Sequence, residues 1–216
     1  MSRPTGATAV PTATSTPDAP GTPCEPVHER TVQGFGTLRI TPVDPGRDAA
    51  LIHGWVTGER AAFWGMGAMD VREVREVYAH MDTLTTHHAF LVHRDGEPVA
   101  LLQTYDPAED RVGLCYEVRP GDVGAHLLLA PAAGAGEPGF TGRLAAAMLE
   151  YLLADPRCRR IVVEPDVRNE KAIARMLRTG FEQGPEILLP AVGLPEVSLP
   201  EKRARLAFLR REAVAG

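Results

Sequence analysis

The stretch between residues 121 and 169 constrains the fold of this chain more than any other part of it. An apolar, strand-like run at residues 125–130 contains one histidine, His126, and leads through a glycine-rich turn into a helix-like segment at residues 140–153. A second apolar run follows at residues 161–163. A helix that begins in a glycine-rich turn offers free backbone N–H groups and the positive end of its dipole. This order of elements predicts a site for a phosphate-bearing cofactor.

A polar cluster follows the second apolar run and contains Glu164, Asp166, Arg168 and Asn169. A histidine and an aspartate at the ends of neighbouring strands could exchange protons with a substrate held beside the cofactor. His126 and Asp166 are therefore the candidate catalytic residues. Their ordinary structural alternatives are a hydrogen-bonded core histidine and an N-cap of the following helix.

The composition indicates a globular domain and argues against two classes of partner. The chain has 216 residues, of which 44% are hydrophobic and 24% charged, and a net charge of -5. Proteins that bind nucleic acids or anionic membranes without specificity normally have a basic surface. No apolar run approaches the ~20 residues that a membrane helix requires. We therefore expect neither nucleic acid nor a membrane as a partner.

The N-terminus and the cysteines favour a cytoplasmic location. Residues 1–26 are rich in Thr, Pro and Ala and are predicted to form a disordered tail without the pattern of a secretory signal, before a single domain at residues 27–216. Cys24, Cys115 and Cys158 lie far apart and lack metal-ligand spacing, which is typical of a reducing compartment. The adjacent His87 and His88 would point to opposite faces of a strand, so no metal site is predicted.

Local patterns predict a mixed α/β fold. A hairpin is expected at residues 27–41 with Leu38 and Ile40 facing inward, and helices at residues 44–56 and 71–81, the second capped by Asp70. Further strands are expected at residues 88–93, 97–105, 111–118, 181–189 and 205–210, and a helix at residues 169–179 that Gly180 ends. The Asp95-Gly96 pair predicts a tight hairpin turn between the first two of these strands.

Several short motifs recur together in an order that resembles a known family. They are Phe63-Trp64-Gly65-Met66, residues 103–106, Tyr116, residues 121–128 with His126, Gly139, residues 164–169, Gly180-Phe181, and residues 199–206 with Lys202 and Arg203. Together they resemble the siderophore branch of the GNAT acyltransferases, which includes enzymes of aerobactin, rhizobactin, mycobactin and desferrioxamine biosynthesis. Within that branch, the desferrioxamine-type enzymes are most similar, and these acylate N-hydroxycadaverine from an acyl-CoA.

The resemblance implies a fold and a set of site residues. The fold is the GNAT fold, a mixed central sheet flanked by helices, in which two splayed parallel strands hold acetyl-CoA or succinyl-CoA. The catalytic residues would be His126 and Asp166, with Asp166 contacting either the histidine or the amine. The residues implied in cofactor binding are Leu127, Leu128, Leu129, Gly139, Phe140, Thr141, Gly142, Arg143 and Asn169. Those implied in acceptor binding are Trp64, Gly65, Met66, Gln103, Tyr105 and Lys202.

The phosphate loop departs from the family pattern. GNAT enzymes carry Arg/Gln-x-x-Gly-x-Gly/Ala there, whereas this loop reads Glu137-Pro138-Gly139-Phe140-Thr141-Gly142. Its glycines can still form a backbone nest for an anion, and Arg143 is the candidate cation for the pyrophosphate. Asn169 suits helix-start hydrogen bonding and contact with the pantetheine arm equally well.

Other functions are left open by the sequence. The first is an ordinary N-acetyltransferase of amines, polyamines or antibiotics, and the second is a non-catalytic module that binds acyl-CoA. The acyl chain, the length of the diamine and the oligomeric state are not determined by these patterns.

Overall fold

The computed structural model describes residues 25–132, 134, 136–193 and 198–214, to which every structural statement below refers. The predicted tail therefore lies outside the described residues except for its last two positions. The helices are Pro45–Val56 (α1), Val71–Asp82 (α2), Phe140–Ala154 (α3) and Glu170–Arg178 (α4). The strands are His28–Val32 (β1), Gly36–Pro42 (β2), His87–Arg94 (β3), Glu97–Tyr105 (β4), Asp122–Leu129 (β5), Arg160–Val163 (β6), Glu182–Leu189 (β7), Val192–Gly193 (β8), Ser198–Leu199 (β9) and Lys202–Arg210 (β10).

One large mixed sheet organises the domain. Its strands lie in the order β1-β2-β3-β4-β5-β6-β10-β7, and β8 and β9 form a separate small ribbon. Neighbouring strands of the large sheet are antiparallel, except that β5 and β6 run parallel. The mixed sheet flanked by helices confirms the predicted fold class.

The parallel strands β5 and β6 separate soon after they meet. They pair at only three positions, the last of which is Gly124 with Val162, although β5 continues to Leu129. The chain after β6 turns toward β10 instead, where the N–H of Arg205 donates to the carbonyl of Pro165 at 2.9 Å. Pro165 has no N–H with which to continue the pairing with β5. The result is an opening between the strands beyond Gly124.

Local signals set the hairpins and the helix ends as predicted. Asp95 and Gly96 both have positive φ, at 51° and 92°, as a type I′ turn requires. Asp70 caps α2 in a capping box with Glu73. Asn169 caps α4, and Gly180, at φ 96°, follows that helix.

The strand predicted at residues 111–118 is wrong. Residues 111–114 form a 3-10 turn, because the Asp110 carboxylate accepts the N–H of Val112 at 2.8 Å and holds the chain in a bend. A Cβ at Gly113 would lie 2.2 Å from the carbonyl oxygen of Pro107, so the turn is tight. The alternating apolar residues of this segment do not form one buried face, because Val112 is buried whereas Leu114 is 81% exposed.

Strand β5 begins earlier than predicted, because its first residue is a buried carboxylate that looks like a loop residue in the sequence. Asp122 accepts from Arg160 Nε at 2.7 Å and Nη2 at 2.6 Å, and from the Tyr116 hydroxyl at 2.9 Å. Burial would raise the pKa of Asp122, but the hydrogen bonds from Arg160 and the backbone outweigh it, so the pKa is lowered. This ion pair joins β5 to β6 at the base of the opening.

Within these ranges, no helix combines the length and apolarity needed to cross a bilayer.

Candidate active site

His126 lies on β5 beyond the point at which β5 and β6 separate. Its Nε2 is 2.6 Å from Oε1 of Glu164, which follows β6 directly. Gly124 and Val162 are paired in register, and His126 and Glu164 each come two residues later. Because side chains alternate between the faces of a strand, both project to the same face.

The carboxylate of Glu164 is buried and accepts hydrogen bonds from three side chains. Its Oε2 accepts from the hydroxyl of Tyr105 at 2.8 Å, and its Oε1 is 3.4 Å from Nζ of Lys202 in addition to the contact with His126. Burial by itself would raise the pKa of Glu164, but His126, Lys202 and Tyr105 outweigh it and lower the pKa to about 2. Glu164 is therefore ionised at neutral pH and can only accept hydrogen bonds.

An ionised Glu164 determines which nitrogen of His126 can act as a base. Nε2 must donate its hydrogen to the carboxylate, so in the neutral ring the lone pair lies on Nδ1. A histidine oriented in this way by a carboxylate is an arrangement suited to general base catalysis.

The open edge of β5 supplies backbone donors beside His126. On its other edge β5 pairs with β4, where Gln103 lies opposite His126 and Leu101 opposite Leu128, and the N–H of Ala130 donates to Val99. Hydrogen bonding to one neighbour alternates along an antiparallel strand. The N–H groups of Leu127 and Leu129 therefore face the opening, whereas that of Leu128 faces β4.

A cleft of about 420 Å³ lies at the start of α3. It is lined by Glu137, Gly139, Phe140, Thr141, Gly142, Arg175, Arg178 and Thr179. Gly139, at φ 76°, caps α3 with no side-chain hydrogen bond to the first turn. Within the first turn the N–H of Phe140 donates to Glu137, which leaves those of Thr141 and Gly142; together with two arginines from α4 they give the cleft a positive character suited to an anion.

Residues 44–189 match the family described as Acetyltransferase (GNAT) domain. The chain belongs to the GNAT acetyltransferases. This confirms the GNAT family and the GNAT fold, whereas the desferrioxamine-type member stays a prediction.

The chain is similar to individual curated relatives and to solved structures. It is 29% identical over 177 residues to N(6)-hydroxylysine O-acetyltransferase of Escherichia coli, covering 81% of this chain and 52% of the relative. It is 34% identical over 126 residues to N-hydroxyputrescine acetyltransferase of Acinetobacter baumannii, covering 58% and 54%. The chain thus spans about half the length of these curated relatives. The structure of AAC(6')-Ib with ribostamycin and coenzyme A superposes with a TM-score of 0.64 at 23% identity, covering 82% of this chain and 96% of that one.

Contact of Asp166 with the amine stays a prediction, but its predicted alternative, a hydrogen bond to His126, is not formed. Asp166 accepts instead from Arg168, through Nε at 2.8 Å, Nη2 at 2.7 Å and the backbone N–H at 2.9 Å. The hydrogen bonds from Arg168, opposed by burial, lower the pKa of Asp166. Asp166 does not cap α4 either, because Asn169 does so by accepting the N–H of Ala172. The carboxylate beside His126 is Glu164. A prediction of the register in which β5 pairs with β6 would have identified Glu164 from the sequence.

Three residues predicted to contact the acceptor surround His126. The rings of Tyr105 and Trp64 lie 5.1 Å and 6.1 Å from the imidazole, centroid to centroid. Gln103 Nε2 donates to the buried hydroxyl of Tyr78 at 3.2 Å, and the Trp64 side chain also interacts with that hydroxyl. This network holds one wall of the opening in place.

The remaining predicted acceptor residues differ in their surroundings. Gly65, at φ 89°, forms the turn after Trp64. Met66 is 6% exposed and packs in the core between α1 and α2, so its side chain is not presented to a ligand. Lys202 contacts Glu164.

Arg143 is already paired with protein groups. Its guanidinium donates to the carbonyls of Gly34 at 2.8 Å and Pro138 at 3.2 Å, and it forms an ion pair with Glu137. Glu137 also contacts Arg94 at 2.5 Å. The cations that line the cleft are instead Arg175 and Arg178, one turn apart on α4.

The two arginines of α4 were missed because nothing in the sequence places α4 beside the start of α3. Burial, Arg178 and Arg60 together lower the pKa of Arg175. In the described part of the chain, no carboxylate lies within ion-pair distance of Arg175 or Arg178. In the same ranges, no group of three His, Cys, Asp or Glu side chains is arranged to hold a metal ion.

Proposed function

We propose that the protein is an acyl-CoA-dependent N-acyltransferase. It would transfer an acetyl or succinyl group to the hydroxylamine nitrogen of an N-hydroxylated diamine such as N-hydroxycadaverine, forming a hydroxamate for a desferrioxamine-type siderophore. The observation that carries the proposal is the pair of His126 and Glu164 at the opening between β5 and β6, 2.6 Å apart. The names of the relatives from E. coli and A. baumannii, which refer to N-hydroxylated amines, support this acceptor class.

The residues at the opening fit direct acyl transfer. Acyl-CoA supplies an activated thioester. The N–H groups of Leu127 and Leu129 are placed to stabilise negative charge on the thioester oxygen. A hydroxylamine nitrogen is mostly neutral at pH 7 and can attack the thioester carbon without prior deprotonation. As the C–N bond forms and the C–S bond breaks, Nδ1 of His126 takes the proton that the nitrogen loses, and coenzyme A leaves.

The cleft at the start of α3 fits the phosphates of the donor. It combines the free N–H groups of the first helical turn with Arg175 and Arg178, which replace the arginine missing from the loop. Arg143 contributes less, because Glu137 already neutralises it.

Replacing both Arg175 and Arg178 with alanine is expected to raise the KM for acetyl-CoA by about tenfold or more, the scale of one or two lost charged hydrogen bonds. The kcat at saturation should change little, because His126 is untouched. Steady-state kinetics at low and moderate salt would measure both. Arg72→Ala is the matched control, since Arg72 lies on α2 and is 68% exposed. An unchanged KM in a folded double variant would contradict the placement of the phosphates.

The acceptor is tested by comparing N-hydroxycadaverine with cadaverine. We expect the hydroxylamine to be preferred by at least about tenfold in kcat/KM. Incubation with acetyl-CoA and succinyl-CoA, followed by mass detection of the hydroxamate and a thiol-release assay, measures the preference and the acyl chain together.

Other results would point to the other functions. A preference for cadaverine, spermidine or an aminoglycoside would refute the hydroxylamine acceptor and leave an ordinary amine acetyltransferase. Binding of acetyl-CoA without thiol release for any acceptor would indicate a non-catalytic module.

A further inference from the structure

Lys202 approaches the same carboxylate oxygen that holds the active-site histidine. It begins β10, next to β6, and its Nζ lies 3.4 Å from Oε1 of Glu164. Nε2 of His126 lies 2.6 Å from that same oxygen. The Glu164 side chain is only 4% exposed and that of Lys202 21%. One buried carboxylate is therefore shared between the ammonium group of Lys202 and the imidazole of His126.

The charges around the imidazole balance only while His126 is neutral. From β6 comes the carboxylate of Glu164, and from β10 the ammonium of Lys202. Tyr105 projects from β4. Burial and the charge of Glu164 raise the pKa of Tyr105 well above its usual value, so its hydroxyl stays neutral. Asp166, after β6, is paired with Arg168. The Trp64 ring and the Gln103 amide, which also lie beside the imidazole, carry no charge.

We propose that Lys202 is a positioning residue that neutralises Glu164, so that Glu164 orients His126 without drawing a second proton onto it. The inference rests on the proposed function, in which Nδ1 of His126 accepts a proton. A buried carboxylate next to a histidine favours the imidazolium, which has no lone pair left to act as a base. With Lys202 in place, Glu164 already has its countercharge, and its attraction for a second proton on His126 is weaker.

This role differs from contact with the acceptor, which the sequence predicted for Lys202. The two are separable, because a substrate contact would alter the KM of the acceptor, whereas a countercharge would alter the protonation of His126 in the free protein.

The decisive experiment is an NMR titration of the His126 imidazole in the protein without substrates. The Cε1–H resonance is identified by its loss in His126→Gln. In Lys202→Met the titration midpoint should move upward by roughly one pH unit, and in Lys202→Arg it should return toward the wild-type value. Lys171→Met is the matched control, because Lys171 is exposed on α4 and its loss should leave the midpoint in place.

Kinetics provide the second readout. In Lys202→Met, the acidic limb of the plot of kcat/KM against pH should move to higher pH together with the NMR midpoint. The KM for acyl-CoA should stay the same. An unmoved midpoint in folded Lys202→Met overturns the proposal, as does a raised acceptor KM with no change in the midpoint. If Lys202→Met does not fold, Lys202→Gln is titrated instead with the same two expectations.

The titration also separates this inference from the proposed function. A shifted midpoint together with no transfer by the wild-type protein to any hydroxylamine would refute the acceptor and retain the role of Lys202.

Discussion

His126→Ala is expected to lower kcat by roughly 10²-fold or more, the scale on which a lost general base acts. The imidazole lies at the open edge of β5, with Nε2 committed to Glu164 and Nδ1 available for the proton of the attacking nitrogen. The KM for acyl-CoA should stay nearly constant, because the phosphate cleft and the N–H groups of Leu127 and Leu129 remain in place.

The measurement is kcat from pH 6 to 9 with a hydroxylamine acceptor at saturation. His88→Ala, an exposed histidine on β3, controls for the loss of an imidazole elsewhere and should retain activity. Near-normal kcat for His126→Ala across this range would show that the histidine is structural. In that case proximity and backbone polarisation would be sufficient for a weakly basic nucleophile.

Gly124→Ala is expected to destabilise the fold and to disturb the active site at the same time. A Cβ at Gly124 would lie 2.1 Å from Cε2 of Tyr105, whose ring is buried against β5. Because the neighbouring ring is packed in the core, overpacking should cost about 1–3 kcal/mol. Any shift of the ring also moves the Tyr105 hydroxyl away from Glu164, to which it donates at 2.8 Å.

Thermal unfolding followed by circular dichroism tests this, with an expected fall in Tm of roughly 2–4 °C for each kcal/mol lost. Gly54→Ala is the matched control, since Gly54 is exposed within α1 and an added Cβ meets nothing within 4 Å. That change should be neutral or stabilising. Equal Tm values for the two variants would mean that the Tyr105 ring has room to move.

Predictions that rest on the conformational preference of one or two residues are confirmed at three turns and helix ends. The Asp95-Gly96 turn, the Asp70 cap of α2 and Gly180 after α4 each follow from the conformational preferences of one or two residues. The segment at residues 111–118 failed because alternating polarity also arises in a bend that buries Val112.

The structure differs from the expected site contacts where tertiary register decides which side chains meet. Asp166 and Glu164 belong to the same polar cluster, and only the alignment of Gly124 with Val162 shows which of them lies beside His126. Arg175 and Arg178 line the same cleft as the start of α3, and this proximity leaves no local trace in the sequence. The sequence predicts Arg143 as the cation for the pyrophosphate. Its ion pair with Glu137 is a tertiary contact that the sequence pattern does not indicate.

The brief junction between β5 and β6 has a mechanical consequence. Strands β1 to β5 form one half of the sheet and β6, β10 and β7 the other, and the ladder between the halves contains three residue pairs reinforced by Asp122 and Arg160. Few backbone hydrogen bonds join the two halves, so we expect this junction to open at a lower free energy than the longer ladders on either side of it. A molecule bound in the opening between β5 and β6 would supply contacts to both strands where their backbone pairing stops. Its binding would then also raise the free energy needed to separate the two halves of the sheet. Its release would lower that free energy again.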